Sequence, residues 1–154
     1  MMDQVTLMNS EYEQLKIIGR LEPIDFPEWD IFDIDAKIDT GAYTSSLHCH
    51  HIEAFEREGK PYVKFNLLDP SHETYNDKLF KLPIHATKSI KSSNGSIEER
   101  YIIKTIIRIA GEELDIELSL ADRSEMRYPV LIGRKLLSGH FLVDASKNNL
   151  STND

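Results

Sequence analysis

Apolar and polar residues alternate with a period of two along several short stretches of this chain. That spacing predicts strands with one buried face. The clearest alternation runs from Ile34 to Ile38 and ends on Asp39-Thr40-Gly41. Leu15 to Leu21 predicts a first strand, Ile31 to Ile38 a second and Ser45 to Ile52 a third. Glu22 to Asp30 carries Pro23, Pro27 and the single Trp29, so it reads as a loop held by an aromatic anchor. Glu58-Gly59-Lys60-Pro61, between two apolar-rich stretches, predicts a hairpin. Asp69 to Asp77 is a polar loop, and Leu79 to Ala86 is a short strand at an edge or bend because of Pro83.

Asn94-Gly95 is a strong cue for a tight hairpin turn. Tyr101 to Ile109 is rich in isoleucine and turns through Ala110-Gly111 into a strand from Leu114 to Leu120. A polar loop, Ala121 to Tyr128, precedes the apolar strand Val130 to Ile132. Arg134 to Ser138 predicts a short helix stopped by Gly139, and His140 to Val143 a last strand. Many short strands with regularly spaced turns predict an all-β closed barrel with one short C-terminal helix. One domain over 15–150 is expected, with a flexible segment 1–14 before it and a tail 151–154 after it.

The candidate chemistry centres on Asp39. The strand delivers this carboxylate to a turn, where Gly41 brings no Cβ to clash. An Asp-Thr-Gly tripeptide alone is an ordinary turn composition. A second segment, Pro129-Val130-Leu131-Ile132-Gly133-Arg134-Lys135-Leu136-Leu137, adds large apolar residues, a glycine and a helix start. In this order the two segments resemble the retropepsin type of aspartic protease. Asp39 to His48, Glu99 to Thr105 and Met126 to Arg134 together resemble a bacterial and archaeal retropepsin-like family. That family carries the label of an ATP-dependent zinc protease and is met beside ATP-grasp peptide ligases. The resemblance covers roughly Ile17 to Leu150.

The resemblance implies an aspartic peptidase that hydrolyses peptide or amide bonds. The chemistry needs two carboxylates sharing one water and one proton. This chain holds one Asp-Thr-Gly and is about half of a two-lobed pepsin. A homodimer is therefore expected, with Asp39 facing its symmetry mate. By the same resemblance Thr40 bonds across the interface, and Gly41 and Ala42 support the site. Leu131, Ile132, Gly133 and Arg134 form the structural motif, and Ser92, Ser93, Asn94, Gly95 and Ser96 form a flap over the substrate. The chain departs from the retroviral pattern in two ways. Tyr43 stands where those enzymes carry an acidic residue, which deprives Arg134 of its usual partner. The flap is rich in Ser and Asn around a single glycine.

Charge and composition narrow the partners. A net charge of −8 argues against nucleic acid and makes basic or neutral peptides easier partners than acidic ones. No apolar run approaches the ~20 residues that span a bilayer, and Met1 to Lys16 shows no signal-peptide arrangement. The single Cys49 fits a reducing cytoplasm.

His48-Cys49-His50-His51 invites a metal reading. On a regular strand His48 and His50 share one face and Cys49 and His51 the other, so only two could approach one ion, whereas a catalytic zinc takes three protein ligands. Surface strand histidines are the plainer expectation. No phosphate-cradling loop is present either, so no cofactor is expected and any ATP dependence would come from a ligase partner. Two alternatives stand beside the peptidase. One is a non-catalytic peptide-binding module of the same fold serving a peptide-ligase system. The other is a zinc hydrolase using His48 or His50.

Overall fold

The computed structural model describes residues 12–67, 78–91, 94–122 and 127–152. The expected loop 69–77, flap residues Ser92 and Ser93, and most of the N-terminal segment lie outside the described residues. Strands β1 (Lys16–Ile18), β2 (Leu21–Phe26), β3 (Ile31–Ile38), β4 (Ser45–Arg57) and β5 (Lys60–Leu67) come first. They are followed by β6 (Leu79–Pro83), β7 (Ala86–Lys91), β8 (Ile97–Ile109), β9 (Glu112–Ala121), β10 (Val130–Ile132) and β11 (Phe141–Val143). The helix α1 (Arg134–Leu137) is a single turn.

Six strands close a barrel in the order β10-β3-β2-β8-β9-β4, with β4 pairing back onto β10. Closure removes the unpaired edges that make an open sheet prone to association. β10 runs parallel to β3, and β4 runs parallel to β9. The other four pairings of the ring are antiparallel. Ile34, Ala36, Leu47, Ile103, Ile107, Leu118, Val130 and Ile132 are fully buried and belong to one core cluster. Each large member contributes roughly 1.5–3 kcal/mol by leaving water.

Beyond the ring, β4 continues into a three-stranded extension with β5 and β6. Trp29 roots that extension: its ring lies 4.4 Å from Phe26, 5.1 Å from Phe80 and 6.2 Å from Phe65. β7 and the N-terminal half of β8 form a long hairpin. Its Asn94-Gly95 turn has Gly95 at φ +90°, a conformation that favours glycine. β1 and β11 form a separate parallel pair.

Four expectations change. The expected first strand, Leu15 to Leu21, breaks after Ile18, so β1 pairs with β11 while β2 starts at Leu21 and pairs with β3. Residues 22–30 are not all loop, because β2 runs through Pro23 and buries Glu22, Ile24 and Phe26. β8 reaches β2 only at Ile24 and Asp25, so at Pro23 one edge is open and a missing N–H is tolerated. The expected strand 79–86 breaks at Pro83 into β6 and β7, which join different neighbours. β4 is longer than expected and reaches Arg57 by way of an irregularity between His50 and Glu53.

Candidate active site

Parallel pairing of β3 with β10 brings the two sequence segments together, with Ile38 beside Ile132. One residue further on, the Asp39 N–H donates to the Ile132 carbonyl at 2.8 Å. The chain then turns. Gly41 N donates to Asp39 Oδ1 at 2.9 Å, and Ala42 N to the Asp39 carbonyl at 3.3 Å. The start of α1 grips the far side of this turn: Arg134 N donates to the Ala42 carbonyl at 2.8 Å and Lys135 N to the Tyr43 carbonyl at 3.0 Å. Gly133 N donates to the buried Ser45 hydroxyl at 3.0 Å. Each segment thus supplies the backbone partners of the other, which leaves the turn little freedom to move.

Gly133 is required by close approach. A Cβ there would stand 2.7, 2.8 and 2.9 Å from the carbonyl oxygens of Tyr43, Thr44 and Ala42. Gly41 is not in the left-handed region, so its lack of a Cβ matters for space, as expected, and not for backbone conformation. A Cβ at Gly41 would meet Asp39 Oδ1 at 3.1 Å, the oxygen its own N–H supports.

Asp39 and Ala42 are half-buried, whereas Thr40 and Gly41 are exposed. Leu131 is half-buried, Ile132 and Gly133 are buried, and Arg134 is exposed. Arg134 finds partners in place of the missing acid. Its Nη1 donates to the Thr40 carbonyl at 2.9 Å, and its guanidinium lies 5.8 Å from the Tyr43 ring centroid. The hairpin turn keeps Asn94, Gly95 and Ser96 exposed, and Asn94 Oδ1 accepts from the Ser96 N–H and hydroxyl.

Two groups near this site, Glu117 and His85, carry no sequence motif, and they meet Lys135 of the second segment. Glu117 on β9 pairs with Lys135 Nζ, and its other oxygen lies 3.0 Å from His85 Nε2. These residues come from three separate segments, so only the fold joins them. Two cavities share Thr44, Glu117 and Lys135 as walls. The larger, about 530 Å³, extends toward Glu28 and Asp115. The smaller, about 170 Å³, lies between Tyr43 and the base of the β7–β8 hairpin.

The histidine cluster departs from the surface reading. His48 is only 1% exposed, because β4 is flanked by both β9 and β10 there. Leu47, His48 and Cys49 are buried in succession, and His51 takes φ +56° at the strand irregularity. The regular two-face alternation therefore fails. Burial pushes the Cys49 thiol up to about 12, so it stays protonated in the native protein. Among the described residues no group of three or more His, Cys, Asp or Glu stands ready for a metal ion. These residues do not fit the zinc that the family label promises.

Residues 17–154 match the family described as the retropepsin-like aspartic endopeptidase RimB. A protein of Shewanella halifaxensis named "Probable alpha-L-glutamate ligase" is 40% identical over 136 residues. That match covers 86% of this chain, which spans 29% of the relative's length. A Desulfotalea psychrophila protein of the same name is 34% identical over 129 residues, 84% of this chain and 28% of its own length. The fold also matches a crystal structure of a Legionella pneumophila protein of unknown function. The TM-score is 0.71 and the identity 24%, covering 88% of this chain and 98% of that one. With a family match over nearly its whole length, this chain belongs to the RimB-like family of retropepsin-like aspartic endopeptidases.

Proposed function

We propose that the chain is an aspartic peptidase whose catalytic pair is assembled from two copies, each contributing Asp39. The observation that carries this reading is the turn itself. Asp39 is anchored through its N–H to Ile132 and through Oδ1 to Gly41, while Thr40 and Gly41 stay exposed beside it. A rigid carboxylate next to an uncovered turn suits a surface that a second copy completes. One turn per chain cannot supply both the ionised and the protonated carboxyl that the reaction needs.

In the mechanism, the ionised Asp39 takes a proton from a shared water as its oxygen attacks the scissile carbonyl carbon. The protonated Asp39 of the second copy donates to the carbonyl oxygen, giving a neutral tetrahedral diol. Proton transfer to the departing nitrogen and breakage of the C–N bond then release an amine and a carboxylic acid. Thr40 bonds across the two-fold axis, and Gly41 presents its backbone to substrate. The turn at Asn94 to Ser96, the described part of the expected flap, closes over the substrate. Ile97, 70% exposed at the start of β8, gives that hairpin an apolar surface to lay on a substrate or on the second copy.

The names of the relatives support a choice of substrate. The long relatives are named for ligating glutamate. The chain is read as the hydrolytic counterpart of such a ligase, cutting glutamyl peptide bonds in the cytoplasm. The net charge of −8 opposes an acidic substrate only weakly at contact, since salt screens charges beyond roughly 8 Å.

Purified protein incubated with a glutamyl peptide tests the reading, with Asp39→Asn as control. Cleavage by the wild type and none by the mutant is expected. Tight binding without cleavage at any pH would instead support a peptide-binding module. Tyr43, standing where retroviral enzymes carry an acid, is the observation on that side.

A further inference from the structure

The two faces of the β4–β5–β6 extension differ. One buries Val63, Phe65 and Phe80, the last two against Trp29. On the other, the register sets side chains in three rows. Arg57 stands opposite Lys60, Phe55 opposite Tyr62, and Lys64 opposite both Glu53 and Lys81. Rows two residues apart lie roughly 7 Å from each other. The face therefore runs basic, aromatic, basic. All of these side chains are exposed or half-buried. Glu56, paired with Pro61, points to the opposite face.

Two of these rows work against stability. Like charges directly opposite on neighbouring strands repel, and Arg57–Lys60 and Lys64–Lys81 are both such pairs. Relief is partial. Arg57 lies over the rings of Tyr62 and Phe55, 4.9 and 5.8 Å from their centroids, and Lys64 reaches Glu53 at 3.3 Å. Four cations against one carboxylate give this face a formal balance of +3, in a chain of net −8. The whole-chain charge argues against nucleic acid, but it is an average. Salt screens exposed charges beyond roughly 8 Å, so a ligand on this face meets the local cations.

We propose that this face binds single-stranded RNA. Phosphates sit on the two basic rows, and a base stacks on the aromatic row between them, against Tyr62 and the Arg57 guanidinium above it. An acidic peptide would use the basic rows and leave the aromatic one idle. Glu53, its side chain 66% exposed, selects RNA over DNA. Its carboxylate accepts from a ribose 2′-hydroxyl, which deoxyribose lacks. The face takes no residue from the Asp39 turn, so the inference does not rest on the peptidase reading.

The test uses the full chain and a fluorescein-labelled oligouridylate of about twelve nucleotides, followed by anisotropy across a salt series. Binding should weaken with salt, with a log–log slope of roughly −2 to −3 for three or four neutralised phosphates. Lys60→Glu and Lys81→Glu should each lower affinity about tenfold. Each should also raise the melting temperature, because it turns a like-charge pair into an ion pair. Tyr62→Ala should lower affinity tenfold or more, and Tyr62→Phe should keep it. The lysine variants keep the test open if Tyr62→Ala fails to fold. Oligodeoxyuridylate should bind more weakly than oligouridylate, and Glu53→Ala should narrow the difference. Absence of binding at low salt, or unchanged affinity in both lysine variants, would overturn the proposal. Hexaglutamate displacing the RNA as well as unlabelled oligouridylate does would overturn it in favour of an acidic-peptide face. Equal affinity for the two oligonucleotides would overturn the choice of RNA.

Discussion

Arg134 donates from Nη1 to the Thr40 carbonyl at 2.9 Å, so the helix start holds the residue next to Asp39. The same guanidinium lies over the Tyr43 ring, 5.8 Å from its centroid. Tyr43 thereby replaces the acidic partner of the retroviral pattern with a cation–π contact, worth roughly 0.5–1 kcal/mol at an exposed site. Arg134→Lys is not a conservative change here, because an ammonium cannot reproduce the fork that reaches Thr40 while stacking on Tyr43. Arg134→Lys and Arg134→Ala should each cost about 1 kcal/mol in urea denaturation and lower kcat for peptide cleavage by tenfold or more. Unchanged kcat in both variants would detach Arg134 from the site.

Gly133→Ala should be far costlier than a surface change. Its Cβ would meet three backbone oxygens within 3 Å, and backbone cannot rotate away as a side chain can. A loss of about 3 kcal/mol corresponds to a fall of roughly 6–12 °C in melting temperature for a chain of this size. Differential scanning calorimetry measures it directly.

Glu22 is a buried carboxylate with four donors: Gly19 N, Leu150 N, Ser151 N and the Ser151 hydroxyl. It ties the C-terminal segment to the start of β2. Glu22→Gln keeps the shape but removes the charge and one acceptor. Destabilisation by about 1–3 kcal/mol is expected, with faster hydrogen exchange at Leu150 and Ser151.

The Glu117–Lys135 pair gives a pH signature. The hydrogen bond from Lys135 holds the Glu117 carboxyl below its ordinary value of 4.5, and the same bond holds Lys135 above 10.5. A depressed acid contributes stability above its unfolded value and loses it as pH falls through the folded one. A raised base contributes below its unfolded value and loses it as pH rises through the folded one. The wild type should therefore exceed Glu117→Gln in denaturation midpoint between about pH 5 and 10, with the gap closing on either side. A gap constant from pH 3 to 11 would contradict the pairing.

Cys49 is buried and its thiol is pushed up to about 12, so it is a weak nucleophile in the native protein. A thiol reagent at pH 8 should leave it unmodified until denaturant opens the barrel. As the single cysteine of the chain, it then reports unfolding without ambiguity.

Much of the barrel was legible because strand alternation and turn chemistry are local. Ile34 to Ile38, Asn94-Gly95 and Val130 to Ile132 each carried their own signal. The union of the Asp39 turn with Gly133 was legible only through resemblance, since parallel pairing of β3 with β10 leaves no local mark. β2 was hidden by Pro23, whose tolerance depends on an edge that tertiary pairing leaves open. The depth of His48 was hidden because burial on β4 comes from two flanking strands and overrides alternation. Glu22, Glu117 and His85 were illegible for the same reason: their partners are distant in sequence and meet only in the fold.

Subunit mixing tests the central claim most directly. Wild-type chain is diluted with Asp39→Asn at constant total concentration, and cleavage of a glutamyl peptide is followed. A pair of carboxylates drawn from two copies predicts activity falling with the square of the wild-type fraction, so an equal mixture keeps about a quarter. Activity proportional to the wild-type fraction, or undiminished activity of pure Asp39→Asn, would contradict it.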